Sequence, residues 1–190
     1  QTHMSEIVKA PTVSSSKSGR VPRDRYCVRF TGAKAGKSGK GFKQIEAKFE
    51  IISPDVVSLP DGMQASVAGR KGNIYLTYDP NAKNAADTFA AFCRMGVLAP
   101  GADLDVDAVV AKLASGNVFA YVILDSEERI ERMLPKPGQA YGDPIKDENG
   151  NNISSGWQFK YVSAEAIRGA APAVDGLPPV EGEAGTSTPY

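Results

Sequence analysis

The sequence predicts a mostly β fold with a helical insert, and three observations carry that prediction. Apolar and polar residues alternate in the first third of the chain, apolar residues recur at helical spacing in the middle, and strand-like runs return afterwards. At 190 residues, 42% hydrophobic and 23% charged, the composition suits one globular domain with appendages.

In chain order, "RYCVRFT" comes first and sets Tyr26, Val28 and Phe30 on an apolar face and Arg25, Cys27 and Arg29 on a cationic one. "GFKQIEAKFEIISPD" repeats the pattern with Ile45, Ala47, Phe49 and Ile51, closed by Pro54. "ASVAGRKGNIYLTYD" reads as a third strand, with a bulge or turn between Gly69 and Gly72 and Arg70 and Lys71 at its tip. "NAADTFAAFCRMG" puts Ala85, Phe89, Phe92 and Cys93 on one helical face and stops at Gly96. "DVDAVVAKLASG" does the same with Val106, Val109, Val110 and Leu113, from an Asp cap to Gly116. "NVFAYVILD" is nearly continuous in apolar residues and reads as a central strand. "DENGNN" signals a turn through Asn149 and Gly150, and "GWQFKYVS" is a last strand with Trp157, Phe159 and Tyr161 on one side. Tyr26, Phe30, Phe49, Phe89 and Phe92 are the expected core aromatics.

Three strands, a helical segment and further strands are the plan of an OB-fold. That fold is a five-stranded, partly open barrel, here with helices between strands 3 and 4, and it binds oligonucleotides on its strand 2–3 face and through two loops. Residues 21–168 form the expected domain. Residues 1–20, Ser-rich and without periodicity, read as a flexible arm. Residues 169–190, rich in Gly, Ala and Pro with scattered acids, read as a disordered acidic tail.

"TGAKAGKSGKG" ends like a nucleotide-binding P-loop, but Thr31 stands where its first glycine belongs. A P-loop must open into a helix, whose N-terminal amides bind phosphate. The residues after Gly41 alternate at period two instead, so the stretch reads as a hairpin loop. Lys34, Lys37, Lys40 and Lys43, spaced by three among small residues, read either as a solvated connector or as a mobile cationic flap for a polyanion.

Charge is uneven although the formal net charge is zero. Residues 4–48 carry eleven basic residues against three acidic ones, while Asp175, Glu181 and Glu183 are the only charges after Gly169. A basic front with an acidic tail points to nucleic acid at one end and a modulating or recruiting segment at the other. No apolar run reaches the length of a membrane span. Cys27 and Cys93 have no metal-ligand spacing and read as free thiols of an intracellular protein. "QTHM" reads as a cloning remnant before a start at Met4, which would make the only histidine, His3, foreign to the protein. No catalytic constellation, metal site or cofactor motif is found. "DSEERIER" reads as a solvated segment of alternating charge, and "DLDVD" as a helix cap in place of a Ca²⁺ loop.

The runs "YCVRFTGAKAGKSGKGFKQIEAKFEII", "FAAFCRMGV" and "LASGNVFAYVILDSEERIE" resemble, in order and local texture over residues 23–167, bacteriophage OB-fold single-stranded-DNA-binding proteins. The resemblance implies a non-enzymatic viral protein of DNA replication or recombination, acting in the host cytoplasm. Such proteins end in an acidic tail with a terminal aromatic that recruits replication or recombination partners; here the tail closes "EGEAGTSTPY", acidic in part, with Tyr190 after a proline. Self-association is left open.

Single-strand binders need cations for phosphates and aromatic platforms for bases. The expected phosphate contacts are Arg25, Arg29, Lys34, Lys37, Lys40, Lys43, Lys48, Arg70 and Lys71. The expected platforms are Phe42, Tyr75, Trp157, Phe159 and Tyr161, with Tyr75 preferred to Tyr78 because Ile74 and Leu76 share the face of Tyr78. The leading alternative is an OB scaffold for protein–protein contact, as a virion component or a host-directed inhibitor, without affinity for nucleic acid. A third is a carboxylate-dependent hydrolase or nuclease needing a divalent metal.

Overall fold

The computed structural model describes residues 21–60, 62–172 and 174–181. The expected N-terminal arm, His3 and the last nine residues with Tyr190 lie outside the described residues. Strands β1 (Asp24–Lys37), β2 (Lys43–Ser53), β3 (Val56–Ser58), β4 (Gln64–Ser66) and β5 (Lys71–Thr77) come first. Next are helices α1 (Ala85–Arg94) and α2 (Val106–Ala114), then β6 (Phe119–Ile130), β7 (Ser154–Tyr161) and β8 (Arg168–Ala170). Six strands make one antiparallel sheet in the order β5-β2-β1-β6-β7, with β8 also paired to β6; β3 and β4 form a separate hairpin. The sheet does not close, because β5 and β7 share no hydrogen-bonded ladder.

The alternation read from the sequence sets the two faces. Tyr26, Val28 and Phe30 of β1, Ile45, Ala47, Phe49 and Ile51 of β2, and Ile74 and Leu76 of β5 are all buried. Each large side chain among them contributes roughly 1.5–3 kcal/mol on leaving water. The helices cover the interior with Phe92 of α1 and Val109 and Leu113 of α2, while Phe89 is only partly buried against it. The Asp105 carboxylate accepts the Ala108 N–H at 3.0 Å and caps α2, a contact generally worth about 1 kcal/mol. Arg94, at the end of α1, donates to the carbonyls of Ile167 at 2.6 Å and Ala164 at 2.8 Å. That clamp holds the helix against the 3-10 turn Ala164–Ala166.

At the open seam a ring from β2 and a ring from β7 meet over the backbone of β5. The Phe49 and Phe159 rings pack with centroids 5.9 Å apart, tilted by 56°. Gly72 of β5 lies against both, and a Cβ there would stand 2.6 Å from Phe49 Cζ and 3.1 Å from Phe159 Cδ2. Only glycine lets β5 pass this close to the rings.

Several sequence expectations are corrected. The lysine stretch is no loose flap: β1 runs on to Lys37 and pairs with β2 as far as Lys43, leaving a turn of residues 38–42. Cross-strand partners and α2 packed on β1 supply what glycine and alanine lack in strand propensity. The third strand is split, since Gln64–Ser66 pairs with Val56–Ser58 and a turn through Gly69, at φ 81°, precedes β5. β6 continues through "DSEERI", where β7 pairs with it, so that segment is strand as well as solvated. The tail is held as far as Glu181, which bridges to Ala170 at the end of β8. Backbone pairing orders a Pro- and Gly-rich stretch whose own apolar content could not.

The packing at the seam is open to a direct comparison. Gly72→Ala should destabilise the protein by about 1–3 kcal/mol through overpacking. Gly36→Ala, where a Cβ meets nothing within 4 Å, should stay within about 0.5 kcal/mol; urea midpoints compare the two. Burial pushes the Tyr26 phenol, which donates to the Pro22 carbonyl at 2.8 Å, from 10.0 to about 12, and the Cys27 thiol from 9.0 to about 11. With folded values raised, the unfolded chain loses these protons first, so their stabilisation is full below about pH 9 and lost as pH climbs towards 12. Denaturation midpoints should fall across that window, and Cys27→Ala should delay the onset.

Candidate nucleic-acid interface

The gap between β5 and β7 is an open groove of about 870 Å³. One wall is Arg70, Lys71, Gly72, Asn73 and Tyr75, from β5 and the turn before it. The other is Glu127 and Arg129 of β6 with Trp157, Gln158, Phe159, Lys160 and Tyr161 of β7. The period-two geometry of each strand decides what reaches the groove. On β5, Ile74 and Leu76 point inward, which turns Lys71, Asn73 and Tyr75 outward. Across the seam the register pairs Glu127 with Gln158, Ser126 with Phe159 and Leu124 with Tyr161.

Electrostatically the groove holds four cations, Arg70, Lys71, Arg129 and Lys160, and one carboxylate, Glu127. Lys160 Nζ lies 3.7 Å from Glu127 Oε1. Among the described residues Lys71 and Arg129 have no ion pair within 4 Å. The aromatics differ in what they offer. Tyr75 is 49% exposed, and Trp157 is half-buried. Phe159 forms the floor on Phe49. Tyr161 packs against the core with its hydroxyl buried and unpartnered, and that burial raises the phenol's pKa far above the ordinary value.

The outer face beside the groove continues the β5 wall across β2 and β1 in three rows. These are Lys71–Glu50–Arg29, Asn73–Lys48–Gly32 and Tyr75–Glu46–Lys34. Arg29 meets Glu50 at 3.2 Å, and Lys34 meets Glu46 at 2.9 Å. The hydrogen bond to Glu46 raises the Lys34 pKa, and Asn73 also donates to Glu46 at 2.8 Å. Lys37 and Lys43 stand opposite each other at the ribbon's end, with Lys40 and Phe42 in its turn.

The structure therefore gathers Arg70, Lys71, Tyr75, Trp157, Phe159 and Tyr161 of the expected site into one groove. It sets Arg29, Lys34 and Lys48 on the adjoining face and Lys37, Lys40, Phe42 and Lys43 on the ribbon beyond. Arg25 is elsewhere: its guanidinium binds Glu181 at 2.7 Å, and it borders a separate cavity with Cys27, Tyr121, Leu177 and Pro179. The Tyr121 hydroxyl donates to the Pro179 carbonyl, which fastens the tail over this corner. Asn73, Glu127, Arg129, Gln158 and Lys160 were missed by sequence reasoning. A signal existed for two of them, because Glu127 and Arg129 continue the period-two parity of Ile123 and Asp125.

Among the described residues no group of three or more His, Cys, Asp or Glu side chains is placed to hold a metal ion. No helix among them is long and apolar enough to cross a membrane. No protein-family model matches the chain, and no curated protein matches it.

Proposed function

We propose that this protein is an OB-fold, non-enzymatic binder of single-stranded DNA, which it grips along the seam groove largely without regard to sequence. The observation that carries the reading is the groove itself: four cations and two accessible aromatics, Tyr75 and Trp157, between two strand edges that share no ladder. The strand order β5-β2-β1-β6-β7, with both helices between β5 and β6, supports the OB assignment. A single strand is flexible in its phosphates and exposes the faces of its bases. Cations then neutralise phosphate and release counterions, while each base stacked on an aromatic contributes about 1–3 kcal/mol. A duplex hides its base faces and gains only the first term.

In this reading the lysine ribbon extends the phosphate track beyond the groove. In the ion pairs of Lys34 and Arg29 the Lys34 ammonium is open to solvent and Arg29 is partly so, which lets phosphate compete with their carboxylates. Arg25 is outside the track. The resemblance to phage single-strand binders supports a role in replication or recombination of a phage genome, with the C-terminal tail from residue 169 as the segment for a protein partner.

One observation favours the alternative of a protein-contact module. The arm between β6 and β7 exposes Met133, Leu134 and Tyr141, the second at 91%. Leu134→Ser should leave DNA affinity intact if the groove is the functional surface.

Trp157 is the only tryptophan and lines the groove, so its fluorescence reports occupancy directly. Titration with oligo-dT at several salt concentrations should change its emission, with affinity falling as salt rises by about −0.7 in log–log slope per neutralised phosphate. Lys71→Ala combined with Arg129→Ala should weaken binding about tenfold or more and reduce that slope by roughly 1.4. Arg25→Ala should do neither. An unchanged signal with oligo-dT at low salt would overturn the proposal.

A further inference from the structure

The seam groove contains one group that a phosphate track does not need. Glu127 is a carboxylate among four cations, and it would repel any phosphate that approached it. It is not buried for structural reasons, since its side chain is 47% exposed and its partner Lys160 is 60% exposed. At 3.7 Å the pair is at the loose end of ion pairing, which leaves both heads available to a ligand. The register explains their placement: Glu127 faces Gln158 and Lys160 faces Asp125, so the two heads share one side of the β6–β7 ladder, diagonally adjacent. Across the groove stands the half-exposed ring of Tyr75.

A strand that keeps its phosphates away from Glu127 can present a base edge to it, and the chemistry of the pair selects which base. A carboxylate only accepts hydrogen bonds, and its two oxygens match two parallel donors. Guanine is the base whose Watson–Crick edge offers two such donors, N1–H and the 2-amino group, beside the acceptor O6. Lys160 supplies the ammonium donor for O6. Cytosine and adenine offer one amino donor each, and thymine offers N3–H between two carbonyl oxygens that repel the carboxylate. We infer that Glu127 and Lys160 form a guanine-selective subsite in the groove, with Tyr75 positioned to stack the same base. The inference rests on the proposed single-strand binding and deepens it: phosphate and stacking contacts ignore sequence, and this subsite adds a preference at one position.

The test compares an all-thymine oligonucleotide with the same strand carrying one central guanine, and with inosine, which lacks the 2-amino group, at that position. Trp157 fluorescence at low salt reads binding by the intact protein. Wild type should bind the guanine strand about tenfold tighter than all-thymine, the scale of one bidentate base contact, with inosine between them. Glu127→Ala, at an exposed position, should abolish the guanine advantage while binding the all-thymine strand more tightly than wild type, because the acceptor and the repelling charge are both gone. Equal wild-type affinities for guanine and thymine strands would overturn the subsite. So would a Glu127→Ala protein that tightens on both strands by the same factor, since Glu127 would then act as a background charge only. Failure to bind any of the strands would overturn the single-strand reading and the subsite with it.

Discussion

The architecture turns on a contact that stands in for hydrogen bonds. β5 and β7 come together at the end of a curled sheet, where Phe159 of β7 meets the bare backbone of Gly72 and the Phe49 ring of the neighbouring β2, and they form no ladder. Unpaired strand edges are normally protected, because their free N–H and C=O groups invite pairing with other chains. Here the rings hold the edges close enough to share a groove and too far apart to zip. The ends of the seam are fixed separately. Asp79 accepts the Lys43 N–H at 3.1 Å and ties the β2–β5 end, and Arg94 ties α1 to the segment after β7. A ladder between β5 and β7 would have left their outward side chains on a closed wall.

Charge obeys the same geometry. Counting lysines and arginines along the chain overstates the cationic surface, because folding pairs several of them with carboxylates far away in sequence. Glu46 and Glu50 come to Lys34 and Arg29 through the β1–β2 register, and Glu181 comes to Arg25 from the opposite end of the chain. The groove gains Arg129 instead, from a stretch where acids and bases alternate, and Lys160 from the strand β7. Its field is thus more local than the basic front suggested, with Glu127 as a single interior exception.

Legibility in the sequence tracked how much each element depends on its own residues. Period-two burial in β2, the Asp105 cap and the glycines that end both helices were all readable, because alternation, capping and positive φ are local physics, whereas in β1 Cys27, expected on the cationic face, is buried along with Tyr26 and Val28. The ribbon of Gly32, Ala33, Ala35 and Gly36 was not readable, since small residues take strand form here only through a partner strand. The hairpin of β3 and β4 and the bridge from Ala170 to Glu181 were hidden for the same reason. The aromatic members of the groove were visible as types, but which of them were buried was not: Phe159 and Tyr161 share parity with Trp157 and yet pack against the core.

Local pattern thus suffices for a mostly β chain with two helices in its middle, for the inward-facing residues of its strands, and for a supply of cations and aromatics adequate to a polyanion. Where these residues meet is a property of long-range packing. The groove joins residues 70–75 to residues 127–161, which no local pattern links, and it exists because a glycine and two phenylalanines hold the sheet's outer strands in contact without hydrogen bonds.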